Sequence, residues 1–147
     1  MMTTLPDGLA AVIEEDHSVL NDFMRAIPSR RSGSTRAETT RPWRTRRVRP
    51  ARGWAAVSRR LSEASATLRD AMSLSFERVS AVVITDLAYT VEIEHYQGQQ
   101  FAGSDERHDF DLRVRTIFRR EPVGWRIGHR HADGITTTRP VESVLQR

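Results

Sequence analysis

Hydrophobic residues recur at intervals of three and four positions in two segments of the chain, a spacing typical of amphipathic helices. The first segment extends from Asp7 to about Ile27, where Asp7 can cap the start and Pro28 ends the pattern. The second extends from about Gly53 to Ala71. The apolar stripes are Leu9, Val12, Ile13, Leu20, Phe23, Met24 and Ile27 in the first, and Trp54, Val57, Leu61, Ala64, Leu68 and Ala71 in the second. Two helices, each with one buried face, are therefore predicted.

The hydrophobic period falls to two after the second helix, which is typical of β-strands. Strands are predicted over residues 75–84, 87–97, 108–120 and 125–133, with turns near Thr85–Asp86 and at residues 121–124. Residues 98–107 form a polar connection between the second and third of these strands. Two helices followed by an antiparallel meander predict an α+β domain. We expect a curved antiparallel sheet of three to five strands, with the N-terminal helices packed on its concave face around an internal pocket.

Alternation along the strands divides their side chains between two faces of the sheet. The apolar face is expected to hold Leu87, Tyr89, Val91, Ile93 and His95, then Phe110, Leu112, Val114, Thr116 and Phe118, and finally Trp125, Ile127, His129 and His131. The other face is expected to be charged, with Arg113, Arg115, Arg119, Arg126 and Arg130 opposite Glu92 and Glu94. Such a face suits cross-strand ion pairs or a polar dimer interface.

The composition narrows the class of protein. A chain of 147 residues fits a single domain, and the absence of cysteine excludes disulfides, zinc–thiolate sites and a catalytic thiol. No apolar run approaches the roughly 20 residues needed to cross a bilayer, and no signal peptide is visible, so a cytoplasmic protein without membrane association is expected. All 23 basic residues are arginine. Residues 28–52 carry a local charge of +8 within a total of +4, so the rest of the chain is acidic.

The second half of the chain resembles a known group of proteins. The stretches DLAYTVEIE and LRVRTIFRREPVGWRIGHRHAD are similar to the SnoaL-like branch of the nuclear transport factor 2-like superfamily, which includes polyketide cyclases, ketosteroid isomerases, limonene epoxide hydrolase and scytalone dehydratase. The similarity covers about Asp7–Ala26 and Arg52–Arg147. It implies a cone-shaped α+β barrel with a pocket for a small hydrophobic molecule, often within a homodimer. It does not imply one reaction, because this fold hosts many.

The arginine-rich segment at residues 28–50 departs from that family pattern. The family has a strand there with two acids, a threonine and an Asn-Pro or Asp-Pro turn. Codons can be chosen for residues 33–46 so that a neighbouring frame encodes Gly-Asp-Asp-Ala-Thr-Leu-Ala-Asn-Pro, which has this pattern. We therefore interpret residues 26–50 as translated out of frame, and we expect residues 28–50 to be poorly ordered. The alternatives are a genuine disordered insert and a nucleic-acid-binding arm in which Trp43 stacks on a base.

The last strand carries the strongest candidates for catalysis. His129 and His131 share one face, and Asp133 follows them. A histidine near neutral pKa can move protons, and a carboxylate beside it can orient the ring. The resemblance implies that His131 lies near the pocket. The same residues equally fit a core or dimer-interface role. A metal site would need His95 or Asp133 as a third ligand, which the spacing does not fix, so neither a metal nor a cofactor is expected.

Aromatic residues supply the candidate substrate contacts. Tyr89 could donate its hydroxyl to a substrate oxygen, as in an oxyanion site, while Trp125, Phe110, Phe118 and Trp54 line a pocket or fill the core. The general base of the ketosteroid isomerases has no counterpart here, because its position falls in the arginine-rich segment. Three functions remain open: acid–base chemistry on a small hydrophobic molecule, a non-catalytic ligand-binding or dimerisation module, and nucleic-acid binding.

Overall fold

A computed structural model describes residues 4–25 and 53–135 of the chain. Two helices, α1 (Asp7–Met24) and α2 (Trp54–Thr67), precede five strands. The strands are β1 (Leu68–Asp70), β2 (Ser73–Val83), β3 (Leu87–Phe101), β4 (Arg107–Glu121) and β5 (Gly124–Gly134). The α+β class is therefore confirmed. The arginine-rich segment at residues 28–50 lies outside the described residues, and the frameshift interpretation stays a prediction.

All five strands belong to one antiparallel sheet, which is curved and does not close. Strands β3, β4 and β5 are adjacent in chain order, while β1 and β2 pair in succession along the free edge of β3. β1 pairs with the end of β3 at Gln100 and Phe101, and β2 pairs with residues 88–97. β1 was not predicted, because Leu68 and Ala71 continue the helical spacing of α2 although that helix ends at Thr67.

Helix α1 packs on the concave face of the sheet through the predicted apolar stripe. Leu9, Val12 and Ile13 join a core cluster with Ala88, Phe118, Trp125 and Ile127. Further along the helix, Leu20 and Met24 join a second cluster with Leu68, Ala71, Leu74 and Tyr96. The predicted cap at Asp7 is wrong: Pro6 is the N-cap residue, and its carbonyl accepts hydrogen bonds from the N–H groups of Leu9 and Ala10.

The concave face of β3 is the opposite of the one expected. Ala88, Thr90, Glu92, Glu94 and Tyr96 are buried on the face that α1 covers, while Leu87 and Tyr89 are exposed. Pairing with β4 is the cause, because the register places Ala88 beside Phe118 and Glu92 beside Val114. Side chains opposite each other across an antiparallel pair lie on the same face. Because the apolar residues of β4 face α1, the acidic face of β3 is turned inward.

A β-bulge at Gly128 reverses the alternation of β5. Ile127 pairs with Phe118 and His129 pairs with the next residue of β4, Ile117, so Gly128 is the extra residue. Trp125 and Ile127 are buried before the bulge, and beyond it Arg130, not His129 or His131, is the buried residue. Arg130, Glu92 and Glu94, which were expected on the charged outer face, are therefore buried in the interior. Within the described ranges, neither helix is long and apolar enough to cross a membrane.

Candidate functional site

Six polar side chains meet on the concave face of the sheet, and we call them the polar cluster: His17, Arg78, Glu92, Glu94, Tyr96 and Arg130. They come from α1, β2, β3 and β5. Glu92, Glu94, Tyr96 and Arg130 are each at most 5% exposed. Burying so many charged groups costs free energy unless the charges are paired and hydrogen-bonded. Each member of the polar cluster therefore needs its partners to remain buried.

His17 connects α1 to the sheet within the polar cluster. Its Nε2 lies 2.9 Å from Oε2 of Glu92, and its ring is stacked on Phe76 with centroids 3.7 Å apart. Arg78 holds the other carboxylate oxygen of Glu92 at 3.1 Å through Nη2. Glu92 is therefore held from both sides. The imidazole of His17, whose side chain is 21% exposed, is fixed in position by an aromatic face and a carboxylate.

Glu92 is ionised in this environment. Burial by itself raises the pKa of its carboxyl, but the hydrogen bonds and positive charges of His17 and Arg78 outweigh that effect, so the pKa lies below its ordinary value. An ionised carboxylate only accepts hydrogen bonds, so Nε2 of His17 carries the proton. In a neutral ring Nδ1 then has a free lone pair. Among the described residues none hydrogen-bonds Nδ1.

Glu94, Tyr96 and Arg130 form the second half of the polar cluster. The Tyr96 hydroxyl donates to Oε2 of Glu94 at 2.5 Å, and Nη2 of Arg130 donates to Oε1. Burial and the charge of Glu94 raise the pKa of the Tyr96 hydroxyl well above its ordinary value. Burial opposes the charge of Arg130, but Glu94 and the other acidic neighbours raise its pKa overall. The guanidinium therefore stays charged and the phenol stays protonated.

Apolar and aromatic side chains surround the polar cluster. Phe23, Phe76, Phe110 and Leu112 are half-buried against the second core cluster. Phe110 stacks on Tyr96 with ring centroids 4.6 Å apart. Thr90 is 1% exposed on the same face, and its Oγ1 has no hydrogen-bond partner in the described part of the chain. A few fixed polar groups within an apolar lining are typical of small-molecule sites.

The catalytic residues proposed from the sequence lie on the opposite, convex face. His129 is opposite Ile117, His131 is opposite Arg115, and Asp133 forms an ion pair with Arg113. Burial, followed by the charge of His131, lowers the pKa of His129. His129, His131 and Asp133 lie on the convex face because the bulge at Gly128 shifts the alternation of β5 by one residue. An acid–base role for His129, His131 and Asp133 stays a prediction, to which the geometry adds no support.

The predicted substrate contacts are divided between three environments. Tyr89 lies on the convex face and is 41% exposed, so the expected orientation of its hydroxyl toward the interior is corrected. Phe118 and Trp125 are buried in the first core cluster. Phe110 lies beside the polar cluster. The side chain of Trp54, at the start of α2, lies outside what the structure describes.

A third histidine, His95, also faces outward. Its Nδ1 lies 2.8 Å from Asp111 and its Nε2 3.4 Å from Glu77. The hydrogen bond to Asp111 is the main cause of a raised pKa at His95. The described ranges contain no group of three or more histidine and acidic side chains arranged to hold a metal ion.

Sequence reasoning missed the residues that form the polar cluster. His17 had a visible signal, because it lies on the same helical stripe as Ile13, Leu20 and Met24. Glu92 and Glu94 were seen to share a face, but their charge indicated the outside. Arg130 had no signal, because the bulge that turns it inward depends on pairing with β4.

Comparison with solved structures identifies the fold. A ketosteroid isomerase-like protein from Erwinia carotovora superposes with a TM-score of 0.71 at 13% identity, covering 90% of this chain and 99% of that one. A nuclear transport factor 2-like superfamily protein from Salmonella enterica gives 0.64 at 17% identity, covering 91% and 98%. One of unknown function from Shewanella baltica gives 0.61 at 9%, covering 92% and 100%. No protein-family model and no curated protein matches the sequence. The chain therefore has the nuclear transport factor 2-like fold.

Proposed function

We propose that the concave face binds a small hydrophobic molecule bearing at least one polar group, and that His17 and Glu92 exchange a proton with it. The observation that carries the proposal is the position of the His17 ring, which is held between Phe76 and Glu92 with Nδ1 left without a described partner. The apolar body of the ligand would contact the half-buried aromatic residues. Its polar group would approach the imidazole.

The proposed proton exchange follows from the ionised state of Glu92 and its hydrogen bond to His17. Glu92 is ionised and accepts the hydrogen bond from Nε2–H of His17, so Nδ1 is the ring atom that would exchange a proton with the ligand or with water. The imidazolium that forms would be stabilised by the same carboxylate. The buried positive charge of Arg130 lies in the same cluster, although Glu94 largely neutralises it. Proton abstraction is a step shared by isomerase, cyclase, dehydratase and hydrolase reactions.

The test compares His17→Gln with His108→Gln, since His108 is a half-exposed histidine in β4, outside the polar cluster. The wild-type chain is incubated with a panel of apolar ketones, lactones and epoxides, and binding and product formation are measured separately. Turnover by the wild type should fall by about 100-fold in His17→Gln, the usual contribution of one general base. Turnover that is equal in both variants would remove His17 from the chemistry. Binding without turnover by any of the three proteins would support the non-catalytic alternative.

We also propose that the convex face forms a homodimer. Val82, Tyr89, Ile117 and His129 lie opposite one another across four neighbouring strands. The first three are 42%, 41% and 36% exposed, and Leu87 beside them is 42% exposed. A contiguous apolar patch with both charge signs at its margin, such as Arg113 and Asp133, can pair with itself about a twofold axis.

Sedimentation of Ile117→Glu against the wild type tests the dimer. Ile117 is central to the patch, so a charge there should raise the dimer dissociation constant by at least tenfold. Val123→Glu is the matched control, because Val123 is equally apolar and 73% exposed but lies in the β4–β5 turn. A wild-type chain that sediments as a monomer at all concentrations would refute the proposal.

A further inference from the structure

A second concave site lies at the end of the sheet where α1 begins. It is a groove of about 550 Å³, formed by the first turn of α1, the turn between β2 and β3, and the hairpin between β4 and β5. We call it the end groove. None of its lining residues belongs to the polar cluster. Its volume falls within the range of roughly 300–1,000 Å³ typical of small-molecule sites.

The walls of the end groove are apolar and unusually exposed. Ile84 is 60% exposed and Val123 is 73% exposed, one in each of the two turns that flank it. Val83 and the buried ring of Trp125 also line it. Large apolar side chains exposed on two sides of a concave site indicate a surface that is covered when a ligand is bound.

Two arginines give the end groove a positive charge. Arg120 lies opposite Trp125 in the register of β4 and β5, so both side chains are on the same face. Arg126 follows Trp125 in β5 and also lines the groove, and its Nη1 donates a hydrogen bond to the carbonyl oxygen of Trp125 at 2.9 Å. Within residues 4–25 and 53–135, no carboxylate lies within ion-pair distance of either guanidinium. By contrast, Arg113 and Arg107 each pair with an aspartate.

From this combination we infer that the end groove binds an amphipathic anion, with an apolar chain on Ile84, Val123 and Trp125 and a carboxylate between Arg120 and Arg126. An apolar ligand without charge would leave both guanidiniums uncompensated beside it. A fully polar anion would leave the exposed apolar residues in water. The exposed apolar walls and the two arginines together therefore define the ligand class. The inference is independent of the function proposed for the polar cluster.

The experiment uses decanoate as the probe and NMR of the full-length chain as the readout. Decanoate should shift the indole N–H signal of Trp125 and the methyl signals of Val123 and Ile84 in a saturable way. Decanol, which has the same chain without the charge, should bind about five- to tenfold more weakly, as expected for two partly exposed ion contacts. The double variant Arg120→Met/Arg126→Met should weaken decanoate binding by the same factor.

Arg59→Met/Arg60→Met is the control with the same change of net charge, because both arginines are exposed on α2 and do not line the end groove. Decanoate binding by this variant should equal that of the wild type. Any of four results would overturn the inference: equal affinity for decanol, shifts confined to Phe76 and His17, no saturable shift, or shifts that follow protein concentration. The last result would assign the end groove to a second copy of the chain.

Discussion

The imidazole of His17 lies almost parallel to the ring of Phe76, with 3.7 Å between centroids and 6° between planes. At the same time, Nε2 of the ring lies 2.9 Å from Oε2 of Glu92. One side chain on α1 therefore provides both an apolar contact and a hydrogen bond to the sheet. These two contributions are separable, because different substitutions remove one and keep the other.

His17→Leu should destabilise the fold more than His17→Gln. Leucine retains contact with Phe76 but removes a donor from Glu92, which is 5% exposed, whereas glutamine can still donate a hydrogen bond. Loss of a donor to a buried carboxylate costs about 1–3 kcal/mol. Urea unfolding of both variants measures the difference. His108→Leu serves as the exposed control, and equal losses for His17→Leu and His108→Leu would show that the bond to Glu92 contributes nothing.

Glu92 should make stability depend on pH on the acid side. Its pKa is lower in the folded chain than in the unfolded chain, so the unfolded state binds the proton first as pH falls. The stabilisation is complete above the ordinary glutamate pKa of about 4.3 and is lost as pH falls through the lowered folded value. The unfolding free energy of Glu92→Gln should fall less steeply below about pH 4.3. Glu77→Gln, at an exposed glutamate, should keep the wild-type slope.

Glu94 and Arg130 should be strongly coupled. Their side chains are 2% and 4% exposed, so removing either partner takes the hydrogen-bonded counter-charge from a buried charge, at a cost of about 3–5 kcal/mol. The double variant Glu94→Gln/Arg130→Met removes both charges of the pair, and glutamine can still accept a hydrogen bond from the Tyr96 hydroxyl. We expect it to be more stable than the sum of the single variants implies. Additive losses in a double-mutant cycle would contradict the pairing.

The inward orientation of Arg130 should not depend on Gly128, because this residue has no partner in the ladder between β4 and β5. A Cβ at this position would lie 3.7 Å from the carbonyl oxygen of Ile117, an ordinary contact, and Gly128 is not among the glycines with positive φ. Gly128→Ala should therefore change stability by less than about 1 kcal/mol. Deletion of Gly128 should also preserve cooperative unfolding, because it removes the extra residue and leaves His129 opposite Ile117 and Arg130 facing inward in a regular ladder. Circular dichroism during thermal unfolding measures both variants, and loss of the cooperative transition in the deletion variant would contradict this assignment of the extra residue.

The helices and most strand positions followed from local periodicity. The stripe of α1 from Leu9 to Met24 and the alternation of β4 from Val114 to Phe118 are buried as predicted, because each matches the repeat of its own element. The inner face of β3 could not be predicted in this way. Its outward residues Leu87 and Tyr89 are more apolar than Glu92 and Glu94, and only the register with β4 decides which set is buried.

The candidate site was hidden from the sequence for the same reason. Glu92 and Glu94 are tolerated in the interior because His17, Arg78 and Arg130 reach them from three other elements. Those pairings join residues up to 75 positions apart, beyond the range of any local pattern. Sequence reasoning therefore predicted the fold class, whereas the histidines that it selected, His129 and His131, lie on the convex face of β5.

The extra residue at Gly128 also governs how this strand is compared with others. A homologous strand without a bulge would match this one residue for residue up to Ile127 and then be offset by one. An ungapped alignment would equate His129 and His131 with the inward-facing positions of such a strand. A one-residue gap at Gly128 instead equates Arg130 and Ala132 with them. Catalytic residues can be transferred to this chain from a relative only after that gap is introduced.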